Sequence, residues 1–209
     1  TKDHSTTNVF GDIIDVYDMT QAIEDGSTVP ILYEARMAKV GLNEKILEAI
    51  DDYYHALEED DKADSDEIRK SQVEMANMKQ ILEDPDRLEM IVEDILKHYE
   101  DRKDLVANKA MIVAYSRNSA YTMYKKVLEL RPEYKDVVHM IITPSNNDSE
   151  DMQIAIGSKN DKQQYEINFK DPKSPFKIAI VVDMWLTGFD VPCLGTMYVD
   201  KPMKAHNLM

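Results

Sequence analysis

Two hydrophobic periods alternate along the chain, and the points where they switch mark its organisation. From Asn43 apolar residues recur with a helical period: Ile46, Ile50, Tyr53, Tyr54 and Leu57 share a face, with acids opposite. A charged break at residues 60–66 precedes a second amphipathic stretch, roughly Glu67 to Leu82, with Val73, Met75, Met78, Ile81 and Leu82 as its stripe. Asp84-Pro85-Asp86 then sets a capping side chain before a proline at the first helical position. A third helix follows, with Leu88, Ile91, Val92, Ile95, Leu96 and Tyr99 in register. After Lys109 the pattern becomes short apolar runs spaced by helical segments. Ala110 to Tyr115, Val137 to Ile142, Ile178 to Val182 and residues 196–199 read as strands. Ser116 is placed to cap a helix bearing Tyr121, Tyr124, Val127 and Leu128, which stops at Arg131-Pro132. Another helix is expected near Asp161 to Phe169, within the polar stretch 145–176. Near the start, Ile13 to Tyr17 reads as a short strand and Met19 to Glu24 as a helical turn closed by Asp25-Gly26. Val29 to Tyr33 reads as a strand that Pro30 restricts to an edge. Strands separated by helices predict an α/β fold, a parallel sheet with right-handed crossovers.

The run Ile178 to Val182 is the most informative of these strands. Five β-branched or small apolar residues without polar alternation describe a strand buried on both faces. It ends in Asp183 and continues through Thr187-Gly188 to Asp190 and Pro192. Polar groups are thereby delivered past the carboxyl end of a central strand, where open α/β sheets bind ligands. Gly188 lets a backbone approach closely, and Asp190 offers two acceptor oxygens for a ribose hydroxyl or a basic partner. A purely structural Gly-Asp turn is the plainer reading of the same residues.

Charge changes the picture. The chain has 209 residues and a net charge of −15, which opposes nucleic-acid binding if taken as uniform. It is not uniform: residues 44–104 carry a net of −12, whereas residues 109–209 are at +1. The acidity lies in the helical segment, leaving an α/β part able to make local phosphate contacts. A single cysteine, Cys193, gives no disulfide framework and suits a reducing, cytoplasmic setting. No apolar run reaches membrane-span length, and the opening Thr-Lys-Asp-His-Ser has no signal-peptide pattern. Both ends read as cut from a longer protein.

Asp183-Met-Trp-Leu-Thr-Gly-Phe-Asp-Val-Pro192, with Met197-Tyr-Val-Asp-Lys-Pro-Met-Lys204 after it, closely resembles the fifth helicase motif and following strand of a type I restriction endonuclease R subunit. Val9-Phe-Gly-Asp12, Gln21-Ala-Ile-Glu-Asp-Gly26, Lys109-Ala-Met-Ile-Val113 and Thr143 to Asp148 fit the same subunit in order. The resemblance implies the second RecA-like lobe of a superfamily-two DNA translocase. Its sheet would be RecA-like, with residues 1–42 leading into the lobe, 43–108 an acidic helical insertion and 109–209 a C-terminally truncated α/β lobe. The implied parent couples ATP hydrolysis, with Mg2+, to movement along double-stranded DNA. It works with the first motor lobe of the same chain and with methylation and specificity subunits, and it cleaves through a separate nuclease domain.

On this resemblance Gly188 and Asp190 meet the nucleotide, while Asp183 and Thr187 couple that site to nucleic acid. Ser116-Arg117 resembles the fourth helicase motif. A helix start with a guanidinium is a natural phosphate site, though a capped helix with a solvated arginine explains the pair equally. Thr143, Ser145 and Asn146 follow the next strand and suit a phosphodiester contact that reads no bases. Pro144 lacks the N–H expected there. Trp185 is expected to pack rather than stack on a base, and Lys201 and Lys204 to be surface lysines. No Gly-x-x-x-x-Gly-Lys-Ser/Thr loop exists, so no catalytic residue is assigned and the chain alone should not hydrolyse ATP. His4, His55, His98, His139 and His206 show no metal-ligand spacing. Pro85-Asp86 with Asp101-Arg102-Lys103 mimics a nuclease pattern, but on helices rather than the strands that chemistry needs. The rival reading is a non-enzymatic module that docks a protein through its acidic amphipathic helices.

Overall fold

A computed structural model describes residues 19–35, 79–104 and 108–201 of the chain, which divides into two units, Thr1–Met37 and Ala38–Met209. The expected strand at Ile13 to Tyr17, the helix carrying Ile46 to Leu57, and the second helix up to residue 78 lie outside the described residues.

In the first unit α1 spans Met19–Glu24, and Gly26 at φ 70° ends it where the Asp25-Gly26 signal predicts. Residues 29–35 form no strand, contrary to expectation. Leu32 is 94% exposed, and Val29, Ile31 and Tyr33 are exposed too. β-branched composition encourages an extended backbone, but a strand also needs a place in a sheet, and the four-stranded sheet of the described residues does not include this segment.

In the second unit the sheet has four parallel strands in the order β2-β3-β1-β4. They are β1 Lys109–Ala114, β2 Val138–Ile141, β3 Ile178–Val181 and β4 Leu194–Asp200. Every residue of β1 and β3 is buried, as unbroken apolar runs between two helical layers require. The outer strand β4 alternates instead, with Met197 and Val199 45% exposed. Register Ala110↔Ile178 and Val113↔Val181 aligns the central pair, so their next residues leave the sheet together at its carboxyl edge.

Helix α2, Pro85–Arg102, begins at Asp84, whose side chain accepts from the Arg87 N–H with proline at the first turn, as its sequence predicts. Although expected within the acidic insertion, α2 packs on the sheet. Its Leu88, Val92, Ile95, Leu96 and Tyr99 belong to one hydrophobic cluster with Ala110, Ile112, Met140, Ile178 and Ile180. Tyr99 also donates from its hydroxyl to the Asn108 carbonyl at 2.9 Å, and burial pushes that phenol up to about 12. Helix α3, Arg117–Leu130, shares this face through Ala120, Met123 and Val127. Arg131 beyond it forks onto Glu100 of α2 at 2.7 and 2.9 Å, holding that carboxyl below its usual range. A short 3-10 turn, Pro132–Asp136, leads into β2.

The stretch 145–176 holds two helices rather than one. Ser149 caps α4, Glu150–Ile156, and Ser158 with Asp161 forms a capping box on α5, Lys159–Lys170. Helix α4 joins the α2–α3 face through Met152 and Ile156. The opposite face is covered by Phe169 of α5, Phe176 and the segment after β3, against Met111, Val113, Ile141, Ala179 and Val181. The second unit is therefore an α/β parallel sheet flanked by helices on both faces, as expected for a RecA-like lobe.

Buried within this frame is one lysine. Lys109, fully buried at the start of β1, donates from Nζ to the carbonyls of Asn168 at 2.7 Å and Phe176 at 2.9 Å. Its ammonium thus closes the C-terminal end of α5, where helix carbonyls are unsatisfied and the dipole is negative. Burial lowers the tendency of this lysine to hold its proton.

Candidate functional site

Parallel strands bring Ser116, Arg117, Thr143 and Asp183 to the carboxyl edge of the sheet, and the segment through Gly188 and Asp190 returns toward the opposite edge, where β4 begins at Leu194. Ser116 and Arg117 follow β1, Thr143 follows β2, Asp183 to Asp190 follow β3, and Lys201 follows β4. Common polarity of the strands accounts for this, since every strand ends on the same side.

Ser116 performs the capping role read from its sequence. Its Oγ accepts from the Ser119 N–H at 3.1 Å, while its hydroxyl donates to Glu83. Glu83 directly follows a helical segment at residues 79–82 and was not foreseen as part of this edge. Arg117, first residue of α3, donates from Nη2 to both carboxylate oxygens of Asp148. The bond to Arg117 holds the Asp148 carboxyl below its ordinary range, and the Ser145 N–H donated to it at 2.7 Å acts the same way. Lys162 of α5 comes near through a bond from Nζ to the Ile142 carbonyl at 2.8 Å. Burial depresses its pKa, with the Arg117 charge adding to the effect.

Thr143 is exposed at the rim, its hydroxyl 3.8 Å from the Met184 sulfur. Ser145 and Asn146 belong to the turn that follows, and Ser145 donates to Asp148 rather than outward. After β3 the backbone is tight: Asp183 and Trp185 sit at φ 53° and 62° and Gly188 at φ 69°. Asp tolerates the left-handed region, but a tryptophan there is costly. Trp185 is held by stacking between Phe169, with ring centroids 5.5 Å apart, and Phe189, at 4.2 Å. It packs and does not present a face for a base, as expected. Lys170 lies 4.6 Å over the Phe189 ring and closes the outer side of this stack.

Gly188 is exposed, and a Cβ built there would meet no atom within 4 Å, so only its backbone angle demands glycine. Asp190 is exposed two residues on, and Thr187, directly before Gly188, is exposed too. Asp183 pairs with Lys201, which makes that lysine part of the rim rather than a solvated surface group. Lys204 lies outside the described residues. Asp200, last in β4, accepts from Arg87 of α2, which also reaches the Leu82 carbonyl at 3.1 Å. Its side chains are largely buried, at 13% and 10% exposure, so this pair joins α2 to the sheet edge.

Gly188 and Asp190 thus offer an open backbone approach beside a carboxylate on the segment that returns to β4, while Ser116, Arg117, Thr143 and Asp183 lie on the carboxyl edge with Arg117 and Asp183 already paired. Arg87, Glu83, Asp148 and Lys162 were missed as edge residues. Asp148 alone had a local signal, as an acid closing the Ser145-Asn-Asn-Asp turn.

Residues 1–67 match the family described as SWI2/SNF2 ATPase, and residues 39–209 the family described as type I restriction enzyme subunit R domain 3. The HindI endonuclease subunit of a type I restriction enzyme from Haemophilus influenzae is 39% identical over the whole of this chain and 19% of its own length. A Methanocaldococcus jannaschii protein named as the MjaIXP endonuclease subunit of a type I restriction enzyme is 37% identical over 99% of this chain. The chain spans about one fifth of the length of these relatives. It belongs to the type I restriction enzyme R subunit family.

Proposed function

We propose that this chain is the second motor lobe of the ATP-driven DNA translocase of a type I restriction enzyme. The observation that carries the reading is the position of Ser116-Arg117, Thr143 and Asp183 on one carboxyl edge of a parallel sheet, with the segment to Asp190 leading away from it. The match of residues 1–67 to an ATPase family supports the same role.

In this reading Asp190 accepts a nucleotide hydroxyl or a basic group of the first lobe, and Gly188 lets the backbone come close. Arg117 and Thr143 hold phosphodiesters without reading bases, which suits a motor that must pass over any sequence. Asp183 and Thr187 lie between these two groups of contacts along the chain. ATP supplies the free energy of movement when bound between the lobes, and its phosphate and magnesium site belongs to the first lobe. Among the described residues no group of three His, Cys, Asp or Glu side chains is arranged to hold a metal ion. Cleavage belongs to a separate nuclease domain, and target recognition to specificity and methylation subunits.

Comparing this chain with the full-length protein tests the reading. Full-length protein should release phosphate from ATP when duplex DNA is added, and the 209-residue chain should not. DNA-stimulated turnover by the chain alone would show a complete ATPase site and overturn the half-site reading.

A further inference from the structure

The polar pairs on the carboxyl edge are not alike. Lys201–Asp183 and Arg87–Asp200 each set one cation against one carboxylate. Asp148 instead sits in a site of several donors. Arg117 Nη2 donates to both its oxygens, and the Ser145 backbone N–H reaches Oδ2 at 2.7 Å. The positive charge of Lys162 acts on the same carboxylate. A guanidinium and a backbone N–H in a turn converging on two anionic oxygens form a donor set suited to phosphate.

Apart from the Ser145 N–H, the surrounding backbone does not depend on that carboxylate. The turn is closed by the Asp148 N–H to the Ser145 carbonyl at 3.1 Å, and Gln153 donates to the Asp148 carbonyl at 2.9 Å. Helix α4 is capped by the next residue, Ser149, whose Oγ accepts from the Met152 N–H at 3.3 Å. A rotation of the Asp148 side chain would therefore vacate the donors without undoing turn or helix.

We propose that Asp148 is the internal occupant of a phosphate site formed by Arg117 and the Ser145 N–H, and that a DNA phosphodiester displaces it. This rests on the reading of the carboxyl edge as DNA-facing. The carboxylate keeps the arginine of a nearly neutral lobe from holding stray anions, and it lets go where a polyanion supplies several contacts at once. A phosphate of a nucleotide has the same chemistry, so the test separates the two sources.

The experiment compares wild type with Asp148→Asn, which keeps an acceptor for the Ser145 N–H, and with Asp148→Ser should the first variant fold poorly. Urea midpoints establish folding. Anisotropy of a labelled random-sequence DNA duplex, over a range of low salt, is the main readout. Asp148→Asn should bind about three- to tenfold tighter, the loss of a competing partner for an arginine. Its salt slope should steepen by about one counterion, and the gain should vanish in Arg117→Gln/Asp148→Asn. Asp151→Asn, the same charge change on an exposed acid nearby, should gain less than about twofold. An equal gain in Asp151→Asn reduces the effect to net charge and overturns the proposal.

In a second arm, inorganic phosphate and then ATP are titrated while the Ser145 amide is followed by NMR. A phosphate-induced shift in Asp148→Asn without tighter duplex binding keeps the anion site but overturns DNA as its ligand, and with it the DNA-facing reading of this edge. A shift with ATP at far lower concentration than with phosphate assigns the site to nucleotide instead. No shift and no gain in affinity would make Asp148 only the anchor of its turn.

Discussion

Leu88→Ala decides whether α2 belongs to the lobe or merely lies beside it. The leucine has no exposed surface and sits in the cluster formed with Ala110, Ile112, Ile178 and Ile180. Removing it from a packed interior should cost about 2–5 kcal/mol, from lost transfer energy and the cavity left behind. With a urea slope of about 1–3 kcal/mol/M, the unfolding midpoint should fall by on the order of 1 M or more. The readout is Trp185, the chain's one tryptophan, which is stacked in the cluster on the opposite face of the sheet. A shift seen there means that α2 and the far side of the sheet unfold together. Lys97→Ala, an exposed position on the same helix, is the control and should stay within about 0.5 kcal/mol of wild type. If Leu88→Ala moved the Trp185 transition no further than Lys97→Ala, α2 would be an accessory helix. Excising residues 44–104 would then leave a cooperative lobe, whereas the packing predicts that this excision yields a molten one.

Two further outcomes follow from buried titratable groups. His139, stacked on Tyr165 at 4.3 Å and edge-on to Phe176 at 4.7 Å, has its pKa lowered by burial, with Asp136 opposing weakly. Because the unfolded chain takes up this proton more readily, its contribution to stability is complete above the ordinary histidine range, about pH 6.5. It is lost progressively as pH falls from there toward the depressed folded value. Urea midpoints at several pH values should show that loss in wild type and a smaller one in His139→Gln. Lys109→Met keeps the stem but leaves the carbonyls of Asn168 and Phe176 without their donor, so it should destabilise by about 2–4 kcal/mol in the same assay. A change under about 0.5 kcal/mol would mean that water or backbone adjustment satisfies both carbonyls.

Local signals were legible and distant pairings were not. The Asp84-Pro85 start of α2, the Ser116 cap and the β1 and β3 runs are written in neighbouring residues, and each element forms close to where its pattern places it. The stripe Leu88 to Tyr99 said that one face of α2 is buried but not against what, and the acidity of the segment suggested separation from the sheet. The partner of Arg87 lies 113 residues away, a distance no local pattern spans. Helix α4 was hidden because Glu150 to Ile156 is short and lies in a polar stretch. Its signal is Ser149 before two acids, with Gly157 closing. Val29 to Tyr33 shows the opposite error, strand composition without a paired strand among the described residues. At the site, strand polarity made the edge predictable. Asp148, the acid that holds Arg117, comes from a separate loop 31 residues away and was not.

Asp190→Ala in the full-length protein tests the motor assignment most directly, with DNA-stimulated phosphate release as the measurement. Asp190 is exposed beside Gly188, so its loss should leave the fold intact and any effect should report on a ligand or the facing lobe. Loss of one charge-assisted hydrogen bond at the nucleotide should lower turnover at limiting ATP by about ten- to a hundredfold. Turnover at the wild-type rate would contradict the account, leaving Asp190 a loop residue and the segment after β3 without a role in ATP use.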